Sequence, residues 1–223
     1  YFTKERFDLL YPSYGDTYPT YNGAIGMTYE QGGSGKAGLT VFNREGNLLR
    51  LHDRILHHHT AAISTIETCS RYAEKIQLEF SKYFENSRLK PSGRYKSYVI
   101  KSDNPEKVKV LAKLLERNEI KFGYGVSKTT TGYNYFSQKN EKFVIENNDL
   151  VISAYQPKSV LLKVLFEPST FVADSVTYDI TAWALPYAFG LQTYATNERL
   201  SPQNAKPVIA SITANRPPGR TIA

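Results

Sequence analysis

A single carboxylate stands between an apolar run and a glycine-rich stretch early in the chain. The segment reads YNGAIGMTYEQGGSGKAG, and Glu30 lies at the junction. A phosphate-binding loop would need a glycine at position 30 and a Ser or Thr directly after Lys36, where the chain has Glu30 and Ala37. The spacing therefore argues against a nucleotide site. It predicts a short strand that ends at Glu30 and is followed by a turn.

All four histidines lie between His52 and His59, and His57, His58 and His59 are consecutive. Zinc ligands on a helix need a spacing of three or four residues so that both imidazoles share a face. Consecutive residues point about 100° apart, so only one of the three lies on any given face. We expect His59 to be a hydrogen-bonded core histidine, and we expect no metal site in this chain.

Two further groups of residues could carry chemistry. Cys69 falls on the same apolar stripe as His59, which favours a packing residue over a nucleophile. No Cys or His follows Cys69, so the second half of the chain has no Cys–His pair for glutamine hydrolysis. Residues 121–143 mix aromatic and basic residues that could stack bases or sugar rings beside positive charge, although exposed hairpins are often rich in Tyr and Lys. They are Phe122, Tyr124, Lys128, Tyr133, Tyr135, Phe136, Lys139 and Lys142.

The charge balance gives little support for a polyanionic partner. The chain of 223 residues has 28 Lys and Arg against 21 Asp and Glu, and the surplus of seven is spread along its length. We therefore expect a solvated surface and no nucleic-acid partner; such a partner would give steeply salt-dependent retention on DNA. No run of about eighteen apolar residues occurs, so we expect no membrane span.

The N-terminal half predicts a loop followed by one long helix. Residues 1–23 are crowded with Tyr, Pro and Gly, which favours an ordered loop. Apolar residues then recur at spacings of three and four from Leu51 to about Phe84, which is the pattern of a helix with one apolar face. Pro91 and Gly93 break the periodicity, and we place a domain boundary there.

The C-terminal half predicts alternating strands and helices. A strand at residues 98–100, a helix opened by Asn104 and Pro105, and a strand at residues 120–122 suggest a β-α-β unit with a parallel pair of strands. Residues 121–145 suggest an inserted hairpin. A strand at residues 150–153, a helix at residues 158–165 and a short helical segment stopped by Pro186 and Gly190 complete the prediction.

The run YPSYGDTYPTYNGAIGMTYEQGG, followed after a short hairpin by LLRLHDRILHHHTAAISTIETCSRYAEKI, resembles one particular enzyme family. It is similar to the C-terminal third of the catalytic domain of bacterial zinc carboxypeptidases, the carboxypeptidase A-like metallopeptidases. In that family a Tyr/Gly loop leads to a core strand that ends in a glutamate, and a long helix packs on the sheet. The resemblance covers about residues 1–85. It implies that Glu30 is the general base and that Tyr11, with Tyr14 as a rival, caps the substrate.

The resemblance also implies that the zinc is bound elsewhere. The family holds zinc with an H-x-x-E pair and a distant third histidine. Three residues after the four histidines of this chain stand Ile55, Thr60, Ala61 and Ala62. The arginines that bind the substrate carboxylate in the family also lie upstream of the matched region. We therefore expect the C-terminal portion of a larger, exported (periplasmic or extracellular) protein. That protein binds zinc and its peptide substrate with an upstream part of the peptidase domain, and this chain alone is inactive.

The second half carries its own resemblance. The runs FVIENNDLVISAYQPKSVLLKVLFEPSTF and DSVTYDITAWALPYAFG are similar to an accessory domain of these proteins, with a flavodoxin-like α/β fold of the class I glutamine amidotransferase type. We thus expect an α/β chain with an incomplete carboxypeptidase-like lobe at residues 1–86 and an accessory domain at residues 94–223. The alternative is a non-catalytic module on a degenerate peptidase fold, in which the Tyr-rich loop and the hairpin grip a peptide or glycan.

Overall fold

A computed structural model of the chain describes residues 11–30, 39–43, 45–170 and 184–203. These residues form a mixed α/β structure, as the sequence predicted. The helices are α1 (Thr17–Tyr21), α2 (Leu51–Arg71), α3 (Ala73–Leu89), α4 (Pro105–Arg117), α5 (Ser159–Phe166) and α6 (Leu185–Phe189). The strands are β1 (Val41–Phe42), β2 (Leu48–Leu49), β3 (Ser97–Ile100), β4 (Gly123–Tyr124), β5 (Lys128–Asn134), β6 (Lys139–Ile145), β7 (Leu150–Ser153) and β8 (Thr193–Thr196).

The predicted long helix forms as α2 and α3, with an interruption at Tyr72 where the backbone leaves helical geometry (φ −110°, ψ 23°). The Asp53 carboxylate accepts the backbone N–H of Arg50 at 2.9 Å, which satisfies a donor at the start of α2 and places negative charge at its positive end. Together with residues 11–30 and the β1–β2 hairpin, α2 and α3 form what we call the N-terminal lobe. None of the described hydrophobic side chains of this lobe is buried.

The apolar face of α2 and α3 lies open, and this corrects two expectations. Ile55 is 57% exposed and Ile66 is 64% exposed, and no residue of α2 is buried. His59 is exposed, so the prediction of a core histidine was wrong. Cys69 is also exposed and is not a packing residue. The helical periodicity was correct, but the described residues provide no element that covers this face.

The C-terminal half, which we call the sheet unit, is built on six strands in the order β4-β7-β3-β8-β5-β6. Every pairing of adjacent strands is antiparallel. β3 and β4 run parallel but are separated by β7, and β7 and β8 are separated in the same way by β3. The sheet is therefore made of two split β-α-β units, the ferredoxin-like connectivity. The expected parallel pair was wrong, and the described sheet is not the parallel sheet of a flavodoxin-like fold.

The predicted inserted hairpin is present and extends the sheet at its far side. β5 and β6 pair along their whole length, from Lys128 opposite Ile145 to Asn134 opposite Lys139. β5 then pairs with β8 through Tyr133 and Asn134. The hairpin follows β4, which lies at one edge of the sheet, yet it adds strands at the opposite edge. This long-range pairing is what local sequence patterns do not reveal.

The buried core lies on the two faces of this sheet. One face packs Tyr98 and Ile100 of β3 against α4, α5 and α6, through Leu111, Leu162 and Leu185. The opposite face packs a second cluster, which consists of Val99, Phe143, Ile145, Val151 and Leu200. Asn104 caps α4 by accepting the Lys107 N–H at 3.1 Å, as the sequence predicted. None of the helices in the described ranges combines the length and the apolar character needed to cross a bilayer.

Candidate functional site

The loop that carries Tyr11 and Tyr14 is fixed by α1. The two rings pack edge to face, with their centroids 5.1 Å apart and their planes at 69°. Thr17 donates its hydroxyl to the carbonyl of Tyr11 at 2.6 Å, and the Tyr18 N–H donates to the carbonyl of Tyr14 at 3.1 Å. Because both backbones bond to α1, any shift of that short helix moves both phenols. The sequence predicted an ordered loop here but not the helix.

Residues 24–30 run beside this loop and do not form the predicted strand. A strand needs a neighbouring strand to accept its hydrogen bonds, and no described segment takes that position. Instead Gly26 donates its N–H to the hydroxyl of Thr20 at 3.2 Å, and Thr28 donates its hydroxyl to the Asp16 carboxylate at 2.6 Å. A Cβ on Gly26 would lie 1.8 Å from the Asp16 carbonyl oxygen, so only glycine permits this approach.

These contacts bring the predicted residues into one region. Thr28 precedes Glu30 by two residues and Asp16 follows Tyr14 by two residues, so their hydrogen bond ties the Glu30 segment to the tyrosine loop. On its other side the hydroxyl of Tyr29 lies 2.7 Å from the hydroxyl of Thr65 on α2. The Glu30 carboxylate is exposed. The described contacts therefore place the segment that ends at Glu30 between the loop of Tyr11 and Tyr14 and helix α2.

Tyr83 of α3 holds the end of the loop. Its hydroxyl donates to the carbonyl of Tyr21 at 2.7 Å, and burial raises its pKa to about 12. The Tyr83 ring lies against Gly23, where a Cβ would come within 2.9 Å of the ring and where φ is +87°. A phenol that stays protonated across the physiological range keeps this hydrogen bond intact.

The four histidines of this chain do not have the spacing of a catalytic zinc site. No H-x-x-E pair occurs, and His52, His57, His58 and His59 are exposed along α2. Within the described ranges, no three His, Cys, Asp or Glu side chains come together as a metal-binding group.

A separate groove of about 780 Å³ lies between α4 and the β4 edge of the sheet. Its apolar lining includes Val108, Ala112 and Phe122, and the exposed charged residues that line it are Lys109, Lys113 and Glu116. This volume falls within the range of small-ligand pockets. Nothing in the sequence patterns predicted the groove, because its two walls come together only when α4 packs on the sheet.

The aromatic and basic residues of the hairpin region do not form one stacking surface. Tyr135 is buried and donates its hydroxyl to the carbonyl of Phe166. Tyr133 packs against the same core, whereas Phe136 is 57% exposed at the turn. Tyr133 and Tyr135 are two positions apart and pack on the same core, whereas Phe136 lies in the turn after β5 and points away from it.

With the fold and this geometry in view, comparison with known proteins adds no relative: no family model, curated protein or solved structure matches the chain.

Proposed function

We propose that this chain is the C-terminal part of a zinc-dependent carboxypeptidase, an enzyme that removes the C-terminal residue from peptides, with Glu30 as general base. In this proposal residues 1–86 are the last part of a carboxypeptidase-like lobe. The sheet unit is an accessory domain, with the ferredoxin-like connectivity described above. The chain alone is inactive, because the zinc ligands and the arginines for the substrate carboxylate come from the upstream part of the peptidase domain. Export of the longer protein belongs to the same proposal.

The observation that supports this proposal is the exposed apolar face of the N-terminal lobe. Helix α2 has 21 residues, none of them buried, and its apolar residues Leu51, Ile55 and Ile66 are all more than half exposed. A soluble amphipathic helix of this length normally buries one face against a sheet or another helix. Within the part of the chain that the structure describes, no strand pairs with residues 24–30, although their apolar pattern favours a strand. Upstream strands of a peptidase domain would both cover the apolar face of α2 and pair with residues 24–30.

The chemistry of the exposed carboxylate fits the role. A general base must reach the attacking water, remove its proton during attack on the scissile carbonyl and deliver that proton to the leaving amine. Glu30 projects from the end of a segment held at Asp16 and Thr65, so its backbone is fixed while its side chain is accessible. Tyr11 or Tyr14 would close over the substrate from the adjacent loop.

Zinc stoichiometry in two proteins tests the proposal. The gene that encodes this chain should also encode, upstream and in frame, an H-x-x-E pair followed by a later histidine. After exposure to excess zinc and exhaustive dialysis, that longer protein should retain about one zinc per chain, as three-ligand catalytic sites do. The chain from residues 1–223 should retain close to none.

A triple variant serves as the control for the histidine cluster. If the 223-residue chain retains stoichiometric zinc that is lost in H57A/H58A/H59A, then it has a metal site of its own and the proposal is wrong. An upstream sequence without an H-x-x-E pair would also contradict it. In that case the second candidate below becomes the better one.

The second candidate is a non-catalytic peptide-binding module, and the groove beside α4 favours it. An extended peptide with alternating Leu and Glu residues would offer apolar side chains to Val108, Ala112 and Phe122 and carboxylates to Lys109 and Lys113, which outnumber Glu116 in the lining. Binding of that labelled peptide by fluorescence anisotropy should fail in K109E/K113E and persist in K75E/K90E, which reverses the charge of two exposed lysines, one on α3 and one at its C-cap. Equal binding by both variants would dismiss the groove.

A further inference from the structure

The tyrosine loop is held from outside its own lobe. Tyr18 of α1 donates its hydroxyl to Oδ1 of Asn118, the residue that caps the C-terminal end of α4, at 2.8 Å. Asn22 lies about one helical turn after Tyr18, and its Oδ1 accepts a hydrogen bond at 2.7 Å from the ammonium of Lys158, which stands at the start of α5. Both partners of the loop belong to the sheet unit.

Each polar contact is oriented by a second hydrogen bond. The Asn118 amide donates to the carbonyl of Leu114 at 2.9 Å, which leaves its oxygen turned toward Tyr18. The Asn22 amide donates to the carbonyl of Tyr18 at 2.8 Å, which leaves its oxygen turned toward Lys158. The Lys158 side chain is only 17% exposed and is also 3.6 Å from a Glu119 carboxylate oxygen. Preorganised groups of this kind lose little entropy when they pair.

Apolar packing completes the attachment. Tyr21, the last residue of α1, packs against the core cluster of the sheet unit, while its carbonyl accepts the Tyr83 hydroxyl of the N-terminal lobe. The connecting segment is also tied down, since Lys96 donates to the carbonyls of Pro91 and Gly93, both at 3.1 Å. α1 is therefore fixed from both sides.

We propose that the sheet unit positions the substrate-capping tyrosine of the peptidase, through a clamp made of Tyr18 on Asn118, Asn22 on Lys158, and Tyr21 on the core. α1 holds the backbones of Tyr11 and Tyr14, so the clamp sets where their phenols lie. Lys158 and Asn118 are positioning residues that act through α1 and touch no substrate. The accessory unit thereby controls how firmly the enzyme closes on a peptide.

The effect of the clamp on substrate binding rests on the proposed function, whereas the clamp itself does not. Two measurements test the clamp and its effect on catalysis separately. The first is hydrogen exchange of the 223-residue chain, compared between wild type and Y18F/K158M. Exchange of amides in residues 14–24 should become about tenfold faster, because two stabilising hydrogen bonds are removed. N118A is a second variant, and unchanged exchange in β3 and β7 shows that the sheet unit remains folded.

The control Y72F/K75M removes the same two chemical groups from exposed positions of the N-terminal lobe and should leave residues 14–24 unchanged. Exchange within twofold of wild type in both clamp variants would overturn the clamp, whatever the protein catalyses.

The second measurement uses the longer protein with its upstream part and follows release of a C-terminal residue. Y18F/K158M should raise KM about tenfold and change kcat less than twofold, because a loosely held cap weakens substrate binding without altering the base. Faster exchange with an unchanged KM would overturn the positioning role. Absence of any activity in the wild-type longer protein, together with accelerated exchange in the variants, would refute the peptidase proposal and leave the clamp standing.

Discussion

Replacing Lys101 with methionine tests how the sheet unit is held together at the root of its inserted hairpin. The Asp149 carboxylate is fully buried and accepts three hydrogen bonds, from the Lys101 ammonium at 2.5 Å, the Glu146 N–H at 2.8 Å and the Ser102 N–H at 3.1 Å. Lys101 is 14% exposed and also donates to the carbonyl of Val144 at 3.0 Å. One ion pair thus joins the end of β3 to β6 and to the start of β7.

The loss of unfolding free energy in each variant depends on which buried charge remains without its partner. K101M keeps most of the hydrocarbon chain but leaves a carboxylate without its cation in a site closed to water, which costs about 3–5 kcal/mol. D149N keeps the shape but places an amide beside the ammonium. The double variant K101M/D149N removes both charges, so its loss should be smaller than the sum of the single losses by about 1–3 kcal/mol.

Urea unfolding followed by circular dichroism and tyrosine fluorescence gives the four free energies of the cycle. K109M removes an exposed lysine from α4 and should change the free energy of unfolding by less than about 0.5 kcal/mol. A loss below about 1 kcal/mol in K101M, or strict additivity in the double variant, would refute the reasoning that this pair is buried and coupled.

Three other predictions address pH, backbone strain and the open helix face. The ordinary pKa of tyrosine is 10.0, and burial raises the pKa of Tyr83 to about 12. The pKa of Tyr187 is also raised to about 12, mainly by burial and to a smaller extent by a hydrogen bond with Tyr133. Their contribution to stability is complete below pH 10 and is lost as the pH rises through 12. Absorbance at 295 nm should therefore show late-titrating tyrosines and ellipticity should fall in the same window; full titration near pH 10 in a folded chain would contradict this. Glu119 follows the α4 cap with φ at 57°, so E119G should raise the melting temperature by about 2–4 °C, and a decrease would show that its ion pair outweighs the strain. Ile66 lies on the exposed face of α2, so I66E should change the free energy of unfolding of the 223-residue chain by less than about 0.5 kcal/mol. In the longer protein, where we expect that face to be covered, the loss should be several times larger. Equal losses in both proteins would mean that nothing covers this face.

Local signals in the sequence predicted most of the helices and strands, but they did not predict which strands lie next to each other in the sheet. Asn104 and Pro105 marked the start of α4 correctly because capping depends on adjacent residues. The pairing of β8 with β5 depends on residues about 60 positions apart, such as Tyr133 and Ala195, and no local pattern encodes it. The parallel pair was predicted because a β-α-β pattern does not show whether another strand is inserted between its two strands.

For the candidate site, too, the residues could be chosen from the sequence but their long-range contacts could not. The residues Glu30, Tyr11 and Tyr14 were chosen from sequence, and the structure brings the segments that carry them together. The contacts with Asn118 and Lys158 that fix the loop could not be predicted, because they join residues 100 and 136 positions apart. The burial of the long helix was predicted wrongly because periodicity identifies an apolar face but not the partner that covers it.

The most direct test of the central claim is the turnover of the longer protein with Glu30 replaced by glutamine. Glutamine preserves size and hydrogen bonding but cannot accept the proton, so kcat should fall about 100-fold to 10,000-fold while zinc content and KM stay near wild type. E106Q, an exposed glutamate in the first turn of α4, is the matched control and should have normal kcat. Near-normal kcat in E30Q would contradict the role assigned to Glu30 and the carboxypeptidase proposal with it.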